Sequence, residues 1–266
     1  MNTRDKSSET SIQRLLSIME RLRDEDEGCE WDKEQDFNSL TPFIIEEAYE
    51  VVDAISRNDK IELKFELGDL LLQIIFLSQI AKENNFFEFN DVVDSLCQKL
   101  IDRHPYVFGD PKKHTSKAQT KNWEILKKKE RKQKGFKSIL DNIPKALPAL
   151  IRSQKIQKRA SNVGFDWSDN KDYFRKIEEE LNELKDAISL KDQLSIKEEL
   201  GDLFMIIANL SAKLGVDAEG AMDAGNKKFE RRFRFIESEL EKRNKSIYDS
   251  TIEEMDSLWN KSKEKN

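Results

Sequence analysis

The strongest constraint on this chain is that it contains one pattern twice. EEAYEVVDAIS at 46–56 returns as EEELNELKDAIS at 178–189. Glu46, Glu47, Glu50, Asp53, Ala54, Ile55 and Ser56 fall on Glu179, Glu180, Glu183, Asp186, Ala187, Ile188 and Ser189 at a constant offset of 133. The same offset lays Glu66 and Asp69 of FELGDLLLQIIFL onto Glu199 and Asp202 of EELGDLFMIIANL. After a four-residue difference in length, KLIDR at 99–103 meets KFERR at 228–232, and a tryptophan follows in each half, Trp123 and Trp259. One period this long, covering several helices, indicates duplicated domains and not a solenoid of short repeats.

Each half reads as a helix, a turn, an apolar helix, a turn and a third helix. These are expected at about 41–57, 61–83 and 88–102, and again at about 170–190, 193–213 and 217–243. Breakers gather in HPYVFGDP and GFKSILDNIPKALP. The expected division is therefore an N-terminal domain over 1–110, a basic linker over 111–143 and a C-terminal domain over 144–266. Composition agrees with a helical reading: hydrophobic and charged residues are 37% each, while Gly (9) and Pro (5) are scarce in 266 residues. The fold class expected is all-α.

Several function classes recede on the same grounds. The longest nearly apolar run, LLLQIIFL at 70–77, is far too short to cross a bilayer, and the N-terminus is polar, so no membrane role and a cytoplasmic location are expected. Cys29 and Cys97 lack CxxC spacing and histidine neighbours, which argues against a zinc site or a disulfide framework. A net charge of −6 does not suit a nucleic-acid binder. Residues 112–137 carry eleven Lys/Arg against two Glu, but without aromatic interleaving this cluster reads as a solvated basic helix.

The carboxylates carry the chemistry. Glu47 and Glu50 share one helix face, as do Glu66 and Asp69 on the next helix. Glu47 falls inside the apolar arc of Leu40, Phe43, Ile44, Val51, Ala54 and Ile55, and Glu180 repeats it among Ile177, Leu184, Ala187 and Ile188. The helix FELGDLLLQIIFLSQIA is apolar almost all round, which predicts a central buried element with Glu66 and Asp69 buried in it. Carboxylates so placed need a cation. A lone ExxE or ExxD is commonly a surface spacing, but the same four acids in the same register twice suit a hard divalent ion, Mg²⁺ or Mn²⁺. A di-iron site would want ExxH pairs, and neither His104 nor His114 follows a Glu by three. Gly68 and Gly201, each costing about 1 kcal/mol in a helix interior, are expected to let the carboxylate helices approach closely.

A Mg²⁺ site calls for a substrate with anionic oxygens of its own, of which polyphosphates are the usual case. In the second half Lys176 lies one turn before Glu180, and Lys228 with Arg232 forms an i, i+4 pair suited to phosphate. The first half has Phe43 in place of Lys176 but keeps Lys99 and Arg103, so the stronger catalytic site is expected in the second half. Trp259 and Trp123 would stack on a base or, equally, pack a C-terminal helix.

With these residues in view, the chain resembles the MazG-type nucleoside triphosphate pyrophosphohydrolases over nearly its whole length. The likeness rests on RLLSIMERLRDEDEGCEWDKEQDF, EEAYEVVDAI with ELGDLLLQIIF, SILDNIPKALPALIRSQKIQKRASNVGFDW, EELGDLF and NKKFERRF, of which the joining segment is the most specific. Glu30 stands where the family usually has proline before Trp31-Asp32, which is expected to loosen that loop. The resemblance implies duplicated all-α helical-bundle domains, a homodimer, and Mg²⁺-dependent hydrolysis of NTP to NMP and pyrophosphate by metal-activated water attack on the α-phosphate. It implies metal ligands at Glu180, Glu183, Glu199 and Asp202, with Glu180 and Glu183 catalytic and Glu47, Glu50, Glu66 and Asp69 as a second-copy set. It implies nucleotide contacts at Lys176, Lys228, Arg231, Arg232 and Trp259. The rival reading is a nucleotide-sensing or partner-binding helical scaffold that does not turn over.

Overall fold

The computed structural model describes residues 10–109, 126 and 135–264; Trp123 and most of the basic segment lie outside them. The chain divides into two units, 1–126 and 127–266. Among the described residues all regular structure is helical, and no helix is long and apolar enough to cross a membrane.

In the first unit α1 (Ser11–Leu22) leads through the short α2 (Glu30–Glu34) to α3 (Thr41–Ser56), α4 (Lys60–Glu83), α5 (Phe89–Arg103) and a final turn, α6 (Pro105–Phe108). The second unit has α7 (Ala149–Ser161), α8 (Asn170–Leu190), α9 (Gln193–Lys213), α10 (Ala218–Glu241) and α11 (Ile252–Lys263). In each unit one antiparallel pair dominates, α3 on α4 and α8 on α9; α1 and α7 cross the second member of that pair.

The repeat reaches the caps. Asp59 accepts from the Ile61 and Glu62 amides, and Asp192 accepts from the Leu194 and Ser195 amides, so the carboxylate helices α4 and α9 start in the same register. Capping fixes where each helix begins and therefore which face Glu66–Asp69 and Glu199–Asp202 occupy.

The core obeys the same offset. Leu40 and Tyr173 are both buried, as are Ala54 and Ala187 and the pair Ile75 and Ala208. Met19, Leu40, Ile75, Phe76 and Ile80 form the first unit's core cluster; Ile236, Leu240 and Leu258 join α10 to α11 in the second. Each such aliphatic contributes about 1.5–3 kcal/mol on burial.

Three expectations need correction. The helix α4 is buried only from Gln73 onward; around its carboxylates Phe65, Leu67 and Asp69 are exposed, because α3 covers one flank and no described residue covers the other. Gly68 and Gly201 do not serve close packing, since a Cβ at either would meet nothing within 4 Å. Glu30 does not loosen its loop: it opens α2 and pairs with Lys33 at 2.8 Å, an acid at a helix N-terminus with a base one turn on.

Candidate functional site: two carboxylate trios and one cavity

Asp169 caps α8 by accepting from the Lys171 amide, and Asp192 caps α9. Those two starts bring Glu180 opposite Glu199 and Asp202. One carboxylate oxygen from each of the three lies within 4.8 Å of the others, and Glu47, Glu66 and Asp69 form the same arrangement in the first unit. Glu183 and Glu50 fall outside these trios. Their charges nonetheless act on the trios, Glu183 on Glu199 and Glu50 on Glu66.

The crowding shows in the acidities. Glu199 is pushed above the ordinary carboxylate range by desolvation, then by hydrogen bonding with Glu180 and the charges of Glu183, Glu180 and Asp202. Desolvation followed by the Asp69 charge raises Glu47, and desolvation followed by the Glu50 charge raises Glu66. Like charges held together at such distances call for a counter-charge. Three hard oxygen donors, mutually repelling and converging on one point, fit a divalent cation of the Mg²⁺ or Mn²⁺ kind.

The two trios differ in their surroundings. Glu180 is only 3% exposed, and Lys176 reaches it at 2.6 Å while also holding Glu179 at 2.6 Å. Glu179 and then Glu180 raise the Lys176 ammonium above its ordinary value. A basic partner therefore does stand beside the buried acid, one turn away on the same helix. In the first unit that turn carries Phe43, which packs against the core.

Beside the second trio opens a cavity of about 470 Å³. Lys176, Glu180 and Asp202 border it, and it continues past Phe165, Trp167 and Met205 to the amides of Gln157 and Asn209. The loop holding Phe165 and Trp167 is pinned through Asp166, which accepts from Tyr173 Oη at 2.6 Å and Lys213 Nζ at 3.1 Å. The Tyr173 hydrogen bond is the main cause lowering the Asp166 carboxyl, while burial and then Asp166 raise the Tyr173 phenol. Trp167 meets the Tyr173 ring edge-on at 4.8 Å. A larger cavity, about 630 Å³, lies along α7 and the end of α9 and touches neither trio.

Sequence reasoning missed this aromatic loop. The signal was present: GFDW at 164–167 repeats the spacing of GCEW at 28–31, ahead of each carboxylate helix.

Trp259, Lys228, Arg231 and Arg232 do not line the cavity. Trp259 packs in the α10–α11 core, 5.2 Å from the Phe229 ring, with the Arg232 guanidinium 5.4 Å above it. Arg232 Nε is buried and has no acceptor among the described residues. Lys228 and Arg231 are exposed on α10.

Comparison with known proteins agrees with the duplication. Residues 35–108 and 169–234 each match the family described as the MazG nucleotide pyrophosphohydrolase domain. A nucleoside triphosphate pyrophosphohydrolase of Escherichia coli strain K12 is 45% identical over 93% of this chain and 95% of its own length. The nucleoside triphosphate pyrophosphohydrolase/pyrophosphatase MazG of Thermotoga maritima is 44% identical over 95% of both chains. An uncharacterised Bacillus subtilis protein is 39% identical over 93% of this chain and 50% of its own length. Two domain matches at the duplicated segments, and relatives aligned almost end to end, establish that this chain belongs to the MazG nucleotide pyrophosphohydrolase family.

Proposed function

We propose that the second unit hydrolyses nucleoside triphosphates to the monophosphate and pyrophosphate, with water attacking the α-phosphate. The observation that carries this reading is the Glu180–Glu199–Asp202 trio, two of whose members, Glu180 and Asp202, border a cavity that Lys176 also borders. The names of the Escherichia coli and Thermotoga maritima relatives point the same way.

In this reading Glu180, Glu199 and Asp202 hold the divalent ion, and Glu183, one turn beyond Glu180 on the same face of α8, completes the set. Mg²⁺ is the proposed ion, with Mn²⁺ as its substitute; when bound it supplies a Lewis acid for the phosphate oxygen and an acidified water. The chain's own residues do the rest. Lys176, released from Glu180 as that acid takes its ligand role, turns its ammonium to the phosphates. Lys228, Arg231 and Arg232 neutralise the outer phosphates, so that pyrophosphate leaves as a stabilised anion. Arg232 is suited to this because its guanidinium is held over Trp259 with Nε still lacking an acceptor. Trp259 contributes by fixing that arginine.

The enzyme acts, on this proposal, as a cytoplasmic homodimer. Ile45, Tyr49, Val52 and Phe65 in the first unit are exposed, and so are Leu181, Ile188, Phe204 and Ile207 in the second. Faces of this kind on the carboxylate helices suit burial against a second copy.

A phosphorus NMR time course of the purified chain with mixed NTPs tests the reaction. Appearance of NMP and pyrophosphate with Mg²⁺, abolished by EDTA, is the expected result. Nucleotide binding without product would support the sensing scaffold instead, and β- or γ-phosphate release would overturn the site of attack.

A further inference from the structure

Asn209 lies seven residues beyond Asp202 on α9, about 10 Å along the axis at 1.5 Å per residue. It occupies the far part of the cavity that begins at the carboxylates. That separation is of the order of a sugar plus a base. Neither the Asn209 nor the Gln157 side chain has a hydrogen-bond partner among the described residues, although both border the cavity. An amide presents a donor and an acceptor together, which matches the edge of a heterocycle, whereas a phosphate would draw cations. Phe165 and Trp167 line the same cavity as these amides.

The first unit supplies an internal comparison. It keeps its carboxylate trio, yet at the offset of 133 Phe76 replaces Asn209 and Phe43 replaces Lys176. Phe76 is 3% exposed. Trp31 packs edge-on against both rings, 5.9 Å from Phe43 and 6.4 Å from Phe76. Where the second unit has an amide-bordered hollow, the first has a packed aromatic cluster. The halves therefore diverge at two places, beside the carboxylates, where Phe43 stands for Lys176, and at the remote end, where Phe76 stands for Asn209.

We propose that Asn209 is a base-recognition residue whose amide reads the edge of a nucleobase lodged beside Phe165 and Trp167, and that Phe43 and Phe76 exclude a nucleotide from the first unit. This rests on the functional reading above and adds to it where the base sits. An amide that serves as donor or acceptor also fits purines and pyrimidines alike, so broad base tolerance follows.

The test uses the full chain and two variants, Asn209→Leu and Asn209→Asp. KM is measured for ATP, GTP, CTP and UTP, together with the inhibition constant of inorganic tripolyphosphate, which has no base. Asn209→Leu is expected to raise the nucleotide KM values by about tenfold, the scale of one lost hydrogen bond, with tripolyphosphate inhibition unchanged. Asn209→Asp, close in shape but lacking the donor, is expected to alter the rank order of the four bases, and it carries the test if the leucine variant does not fold. Wild-type KM values and rank order in the folded variants, or an equal loss of tripolyphosphate affinity, would overturn the assignment. Wild-type protein that neither binds nor hydrolyses NTPs would sink the functional reading itself; turnover by wild type with indifferent Asn209 variants would sink the base assignment alone.

Discussion

Lys176 Nζ lies 2.6 Å from Glu180 Oε1, one turn apart on α8, so the most buried acid of the site carries its own counter-charge. A carboxylate in that position is costly without a partner. On the proposed reading, the Lys176 ammonium supplies Glu180 with the counter-charge that a bound divalent ion would otherwise provide.

Lys176→Met should therefore destabilise the metal-free protein by about 1–2 kcal/mol, less than a fully buried pair would lose because the lysine is partly solvated. Mg²⁺ should restore more stability to this variant than to wild type. Calorimetry with and without Mg²⁺ measures both shifts, and equal metal effects in the two proteins would show that the ion does not replace the ammonium.

Glu180→Gln should lower kcat by about a hundredfold or more while leaving helical circular dichroism intact. Glu47→Gln should stay within about twofold of wild type, as expected for a site that does not couple to turnover. An equal loss from the two changes would move the active site to the first unit or share it between them.

Asp166 sets a pH signature. Its carboxyl is held below the ordinary carboxylate value, chiefly by the Tyr173 hydroxyl, so its contribution to stability is present above the unfolded pKa and lost as pH falls through the folded one. Asp166→Asn should cost about 2 kcal/mol at pH 7. The gap in melting temperature from wild type should narrow as pH drops below about 4. A gap that stays constant from pH 7 to pH 3 would mean that packing of the 164–168 loop, and not the charge, does the holding.

Trp259→Ala should lose about 3 kcal/mol through the void left against Phe229 and under Arg232. Trp259→Phe should recover most of the stability. Chemical denaturation reads the first effect; a raised KM in the phenylalanine variant at unchanged stability would instead return Trp259 to direct contact with nucleotide.

Phe65→Glu and Phe204→Glu place charge on exposed apolar faces and should convert a dimer to a monomer in light scattering after gel filtration. Variants that keep twice the chain mass would exclude these faces from the interface.

The sequence by itself determined the duplication, the helical class and the registers of the six long helices that bear it. Those features are written in local patterns: 3.6-residue periodicity, aspartate caps at 59 and 192, and one offset carrying Leu40 to Tyr173 and Ala54 to Ala187. Local patterns also paired the carboxylates, because i, i+3 spacing on a helix places two acids on one face whatever surrounds them. Tertiary structure decided what spacing does not encode. Whether α4 is buried along its whole length depends on which neighbours cover it, and only its second half is covered. Gly68 and Gly201 mark an open face, a fact about neighbours and not about glycine. Lys176 reaches Glu179 and Glu180 alike, and only tertiary packing makes the second of these a buried acid. The cavity beyond it is assembled from α7, α8, α9 and the loop at 164–168, four segments whose convergence no single window of sequence contains.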